Sequence, residues 1–213
     1  MRIKLPLTLL AYIFATLPSI ANEAAAPADG GNISISESVR ILLATDMEYN
    51  TTVFQAAPSP PQAQFGVSFE GDGQQSLTLD KKDTTEKTAQ FLFRPENTDP
   101  RIDTFTLSIS QLDNLHLGGT YGAVELSSNQ GDSVFSITDI GGNVSLDNNT
   151  IERSGNAADA LVSLHSSGNN TIFIDDIGGT LSISNNTTPT GAPPSGLGLH
   201  LYSSNNTETS TNR

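Results

Sequence analysis

The sequence predicts an all-β protein, a right-handed parallel β-helix (β-solenoid) with a short amino-terminal cap region, and three observations carry that prediction. Residues 133 to 150, SVFSITDIGGNVSLDNNT, recur as residues 170 to 187, NTIFIDDIGGTLSISNNT, so position i meets position i+37. A fixed period of about 20 to 50 residues marks stacked repeat architectures. Apolar and polar residues alternate inside each copy, with Phe135 and Ile137 around Ser136 and Val144 and Leu146 around Ser145, then Ile172 with Ile174 and Leu181 with Ile183. Period two is a strand with one buried face. The pairs Gly141-Gly142 and Gly178-Gly179 punctuate the strands, as do Asn148-Asn149 and Asn185-Asn186. Glycine admits positive φ at a sharp corner and asparagine supplies a further bend.

Between the copies, residues 160 to 171 (ALVSLHSSGNNT) resemble residues 195 to 207 (SGLGLHLYSSNNT), with 122 to 129 (GAVELSSN) as a weaker example. The 37-residue period therefore reads as two rungs of about 18 to 20 residues each. Four inward apolar side chains per rung supply roughly 6 to 12 kcal/mol of burial. Ordering about 19 residues costs at least about 1 kcal/mol each in backbone entropy. A rung alone does not stand, whereas rungs stacked about 4.8 Å apart cover one another.

From the start, Met1 to Ala21 carries Arg2 and Lys4, an apolar run from Leu5 to Leu17, and Ser19-Ile20-Ala21 in a small-x-small pattern. This is a cleavable secretory signal, shorter than a membrane span of about 20 apolar residues, and it places the mature start at Asn22. No transmembrane segment is expected after cleavage. The remainder has 8 basic and 23 acidic side chains, a net charge of −15. Phosphate recognition needs clustered Lys and Arg, so nucleic acid is excluded as a partner. The chain contains no cysteine, which removes disulfides and thiolate metal sites and fits an elongated bacterial surface protein.

Residues 22 to 64 read as a flexible Ala-, Pro- and Gly-rich leader followed by an amino-terminal cap, with short alternating runs at Ile33-Ser34-Ile35 and Val39 to Leu43. The span Ala56 to Gln64, with Pro58, Pro60 and Pro61, reads as a loop. Rungs occupy 65 to 207. Phe65 to Phe69, a Gly71-Asp72-Gly73 turn and Ser76 to Leu79 form an early strand-turn-strand unit. Asp80 to Lys87 is a charged bend, and Phe105 to Ile109 and Leu112 to Leu117 lead into Gly118-Gly119, a third Gly-Gly corner. Residues 208 to 213 form a polar tail.

At these residues the chain resembles passenger domains of bacterial autotransporters, in particular the polymorphic outer-membrane protein type. Repeats of that type pair a Gly-Gly-Ala-apolar motif with a short apolar-to-Asn motif. Gly141-Gly142-Asn143-Val144 and Gly178-Gly179-Thr180-Leu181 match the first, with Asn or Thr in place of Ala, and Val144 to Asn148 and Leu181 to Asn185 stand where the second lies, without its Phe. The resemblance covers roughly Leu117 to Thr207. It implies a surface-displayed β-helix used in adhesion, secreted and associated with the bacterial outer membrane, and an amino-terminal fragment, since no barrel strands follow.

Several residues have chemistry to weigh. His165 and His200, 35 apart, fall at matching places and stack on every second rung in this reading; two ligands without an acidic third make a poor metal site, and His116 stands apart. Asp139, Asp175 and Asp176 cluster beside the Gly-Gly corners, where a solvated turn role is favoured over calcium binding through oxygen ligands and over an acid pair for polysaccharide cleavage. From Ser154 to Asn212 there is no Lys or Arg, which disfavours a lyase acting on acidic sugars. The asparagine pairs at 148/149, 169/170, 185/186 and 205/206 contain glycosylation sequons, but a hydrogen-bonded asparagine ladder is the preferred reading. No serine-nucleophile or phosphate-loop motif is present. The expectation is a non-enzymatic adhesive or structural module with no cofactor, no assigned catalytic or metal residue, and a host glycan or surface protein as partner. The alternatives are a truncated carbohydrate-active β-helix enzyme using Asp139 and Asp176, and a non-functional remnant of a longer reading frame.

Overall fold

The computed structural model describes residues 22–25, 32–35, 37–49, 53–56, 64–80, 91–93, 104–118, 124–127, 131–149, 161–166, 168–187 and 199–203. The signal segment 1–21, the proline loop over 57–63, the charged bend over 81–87, Gly119 and the tail 208–213 lie outside the described residues. Among the described residues there is no helix, and so none long and apolar enough to cross a membrane.

The alternating segments form strands that fall into a repeating order. After β1 (Asn22–Ala25) and β2 (Asn32–Ile35), the strands come as five triplets. They are β3 (Val39–Leu42), β4 (Met47–Tyr49) and β5 (Val53–Ala56), then β6 (Gln64–Glu70), β7 (Leu77–Asp80) and β8 (Phe91–Phe93). Next come β9 (Thr104–Leu112), β10 (Leu115–Gly118) and β11 (Val124–Ser127), followed by β12 (Asp132–Ile140), β13 (Val144–Ser145) and β14 (Val162–Ser166). The last triplet is β15 (Asn170–Ile177), β16 (Leu181–Ser182) and β17 (Leu199–Ser203). Each triplet gives one strand to each of three sheets, ordered β1-β3-β6-β9-β12-β15, β4-β7-β10-β13-β16 and β2-β5-β8-β11-β14-β17. All pairings are parallel. Residues 22 to 25, read as leader, thus join the first sheet beside β3.

The first-sheet partners Val39, Val67, Leu107, Phe135 and Ile172 are successively 28, 40, 28 and 37 residues apart. The 37-residue repeat is therefore one circuit of three strands. It is not two rungs of about 19 residues, because the Leu-His segments form β14 and β17, the third side of the same circuit. Identical residues 37 apart are direct neighbours, as with Ser145 and Ser182 in the second sheet.

Alternation fills the interior. Val67, Leu107 and Phe135 form one inward column and Phe69, Ile109 and Ile137 the next, all fully buried. Phe65 stacks on Phe105 with ring centroids 5.3 Å apart, and Phe69 meets Phe91 edge-on at 5.4 Å. Both separations suit offset or edge-to-face aromatic pairs.

Corners interrupt the backbone ladder, and side-chain oxygens replace the missing carbonyls. The amide N–H of one circuit donates to a side-chain oxygen of the circuit before it: Ser76 to Asp46 at 2.8 Å, Asn143 to Asn114 at 2.8 Å, Asn169 to Asp132 at 2.7 Å and Thr180 to Asn143 at 2.9 Å. Such bonds settle donors that would otherwise be orphaned.

The glycine corner works differently from its sequence reading. Gly141, Gly142, Gly178 and Gly179 do not adopt positive φ. The left-handed residues are Asp139 and Asp176, each at φ 55°, with Gln111 at the same φ in the circuit before, and Asn148 and Asn185 at 61° and 55°. Asp and Asn tolerate this region better than other side chains. Glycine is needed at 142, 178 and 179 because successive circuits approach too closely: a Cβ on Gly179 would lie 2.6 Å from the Gly142 carbonyl oxygen.

Candidate functional site

Outward positions of the first sheet stack into polar columns. Register aligns Arg40, Ser68, Ser108 and Ser136 with Phe173, and Glu70, Ser110 and Thr138 with Asp175. Parallel strands lie about 4.8 Å apart, so Ser108, Ser110, Ser136 and Thr138 form a regular grid of half-buried hydroxyls. At one end of the grid Arg40 donates from Nε to Glu70 at 2.7 Å and from Nη1 to Glu23 at 2.8 Å. Its hydrogen bond with Glu70 raises the guanidinium pKa further above its ordinary value, against the opposing effect of burial.

The second sheet carries a tighter cluster, around Asp147. Its Oδ2 accepts from Ser145 Oγ at 2.6 Å, and its Oδ1 accepts from Ser184 N at 2.6 Å, Ser184 Oγ at 2.9 Å and Ser182 Oγ at 3.1 Å. Burial opposes ionisation here, but the hydroxyls of Ser145, Ser184 and Ser182 and the Ser184 amide outweigh it and hold the carboxyl below its ordinary value. His116 Nδ1 lies 3.0 Å from Ser145 Oγ, extending the cluster to a third circuit. Sequence reasoning did not single out Asp147. The available signal was phase: Ser145 and Asp147 share the outward face, and the period sets Asp147 against Ser184.

Asp139 and Asp176 do come together at the corner. Burial, a side-chain hydrogen bond with Asp176, and the charges of Asp176 and Asp175 push the Asp139 carboxyl above its ordinary value. Two carboxyls in contact resist double ionisation. Among the described residues no group of three or more His, Asp or Glu side chains is placed to hold a metal ion.

The histidines do not stack as expected. His165 lies opposite Tyr202 and His200 opposite Ser163, because the Leu-His pairs are offset by two residues in the register of β14 and β17. Matching Ser166 to Ser203 would have revealed the offset.

The asparagine pairs divide their roles. Asn148 is exposed at its corner, while Asn149 is fully buried. The Asn149 amide nitrogen donates to the Leu117 carbonyl at 3.2 Å and to Asn186 Oδ1 at 3.1 Å, and Asn186 Nδ2 donates to the Leu146 carbonyl at 2.8 Å. This ladder staples three circuits. No family model, no curated protein and no solved structure matches the chain.

Proposed function

We propose that this chain winds as a right-handed parallel β-helix and serves as an exported, surface-exposed adhesive or structural module of the autotransporter-passenger kind. The observation that carries the reading is the hydroxyl grid on the first sheet, Ser108, Ser110, Ser136 and Thr138, repeated in register on a stapled stack. Such a face offers many weak hydrogen bonds at fixed spacing, and their sum gives avidity to a repetitive ligand such as a host glycan or an extended surface protein. The acidic balance disfavours polyanions and suits a neutral or basic ligand. Saturable binding of the purified chain to host cells or immobilised neutral glycans tests the reading. Ser108→Lys with Ser136→Lys should abolish that binding without altering the circular dichroism spectrum. Undiminished binding by this variant would remove the grid from the binding face.

A second reading, a carbohydrate-cleaving acid pair at Asp139 and Asp176, draws on the raised Asp139 carboxyl. Glycosidase carboxyls stand about 5 to 9.5 Å apart to flank a sugar linkage, whereas Asp176 sits close enough to Asp139 to raise its carboxyl through a side-chain hydrogen bond. Release of reducing ends from a polysaccharide, abolished in Asp176→Ala, would reverse that judgement.

A further inference from the structure

One edge of the stack is chemically unfinished. Strands β15, β16 and β17 end the three sheets on one side. Phe135, Ile137, Val144 and Leu146 are 0% exposed beneath the following circuit, yet their equivalents at the edge are open: Leu181 is 43% exposed, Ile183 41%, and Ile172 and Ile174 are half-buried. Leu181 and Ile183 are the exposed large apolar side chains among the described residues. Apolar exposure is concentrated where the next circuit would sit. An edge of this kind is a template for further strand pairing.

We propose that this edge is a dimerisation surface, on which a second copy of the chain docks through its own β15, β16 and β17 across a two-fold axis. The opposite edge of the stack is a poor partner. Continuing the observed register there would set Ala24 over Ile174 and Glu23 over Phe173, leaving the isoleucine covered by a methyl group. Two β15 strands paired antiparallel match better. Centred on Phe173, Ile172 of each copy lies opposite Ile174 of the other, both inward, and Thr171 lies opposite Asp175, both outward. A centre at Ile174 puts outward Thr171 against inward Ile177, because the left-handed residue Asp176 reverses the alternation.

Charge favours the same arrangement. The two Asp175 residues are then four strand positions apart, about 13 Å at roughly 3.3 Å per residue, beyond the Debye length of about 8 Å at physiological salt. A two-fold contact closes on itself and gives a dimer, whereas head-to-tail stacking would give a fibre. Strands β15, β16 and β17 contribute 15 residues per copy, short of the about 20 to 30 of a standard interface, so dissociation in the micromolar range is expected. This inference is independent of the adhesive reading.

Sedimentation velocity on the full chain tests it. A monomer–dimer equilibrium should appear and tighten with added sodium chloride, since salt screens two acidic bodies and leaves apolar burial intact. Leu181→Lys with Ile183→Lys should be monomeric with an unchanged circular dichroism spectrum. The chain lacks cysteine, so Phe173→Cys reports geometry: mild oxidation should give a covalent dimer, because directly opposed Cβ atoms in antiparallel strands approach disulfide range. A monomer at roughly 100 µM, well above the expected micromolar dissociation constant, overturns the proposal. So does a ladder of higher polymers, or cross-linking of Phe173→Cys only to a chain carrying Ala24→Cys.

Discussion

Replacing Asn149 by alanine tests the stapling of circuits most directly. The side chain is fully buried, and its amide nitrogen donates to the carbonyls of Leu117 and Asp147, each at 3.2 Å, and to Asn186 Oδ1 at 3.1 Å. Truncation removes these three contacts and leaves the Leu117 carbonyl without this donor, while Asn186 Oδ1 keeps the Asn149 backbone N–H at 2.9 Å. A buried polar group stripped of its partner costs about 1–3 kcal/mol. For a chain of this size, with about 2–4 °C per kcal/mol, the midpoint should fall by roughly 2–12 °C. Its neighbour is the control. Asn148 is exposed at φ 61°, which glycine tolerates, so Asn148→Gly should stay within about 0.5 kcal/mol.

The assay is urea unfolding followed by circular dichroism, with amide exchange as the local readout because stacked repeats do not always unfold as one unit. Protection should drop at the amides of Leu146 and Thr187, which bond across the affected circuits to Ser182 and Asn149. A loss below about 1 kcal/mol for Asn149→Ala, or an equal loss for Asn148→Gly, would refute the claim that the inward asparagine holds the circuits together.

Other expectations follow from single contacts. A Cβ on Gly178 would lie 2.2 Å from the Gly141 carbonyl oxygen, whereas a Cβ on Gly141 meets nothing nearer than 3.9 Å; Gly178→Ala should cost about 1–3 kcal/mol by overpacking and Gly141→Ala far less, and equal costs in urea unfolding would contradict the corner geometry. Ser133 Oγ is buried without a hydrogen-bond partner among the described residues, so Ser133→Ala should raise the unfolding free energy by about 1 kcal/mol, measured by urea unfolding. Asp147 is held below its ordinary value of 3.8, so its stabilisation is complete above that value and is lost as pH falls through the folded one. Asp147→Asn should cost about 1–3 kcal/mol at neutral pH and flatten the acid limb of stability against pH. Asp139 is raised above 3.8 by burial and by Asp176, so its strain is absent below 3.8 and is imposed as pH rises through the folded value. Asp139→Asn should therefore add about 0.2–1 kcal/mol at pH 7 and nothing in acid, measured by urea unfolding at both.

What was legible in the sequence and what was not divides along a physical line. Alternation at Phe135, Ile137, Val144 and Leu146 marked inward faces correctly, because burial acts on each strand locally. The asparagine ladder was legible too, since an amide repeated at the period can bond its own copy. The number of strands per circuit was not. Identity at i+37 fixes which residues are equivalent, but it does not say how many times the chain turns between them. The strands of the third side, β11, β14 and β17, share only an alternation of apolar residues. They invited alignment on Leu-His when register follows Val162 with Leu199.

The glycines show the same limit at higher resolution. A Gly-Gly pair in sequence is compatible with positive φ or with close packing, and the alternatives differ in what a Cβ would meet. That depends on the neighbouring circuit, which a single copy of the repeat does not contain. Here the left-handed residue is the aspartate two positions earlier, and the glycines admit a carbonyl from the circuit below. The acid pair at Asp139 and Asp176 is then a consequence of backbone geometry: both stand at the left-handed position of successive circuits, and stacking brings their carboxyls together. Their proximity needs no catalytic role to explain it. The same stacking builds the Asp147 cluster and the hydroxyl grid, where outward polar residues of successive circuits fall in register. On the proposed adhesive reading, the ligand is sought among molecules with a matching repeat, in preference to small substrates that fill a single pocket.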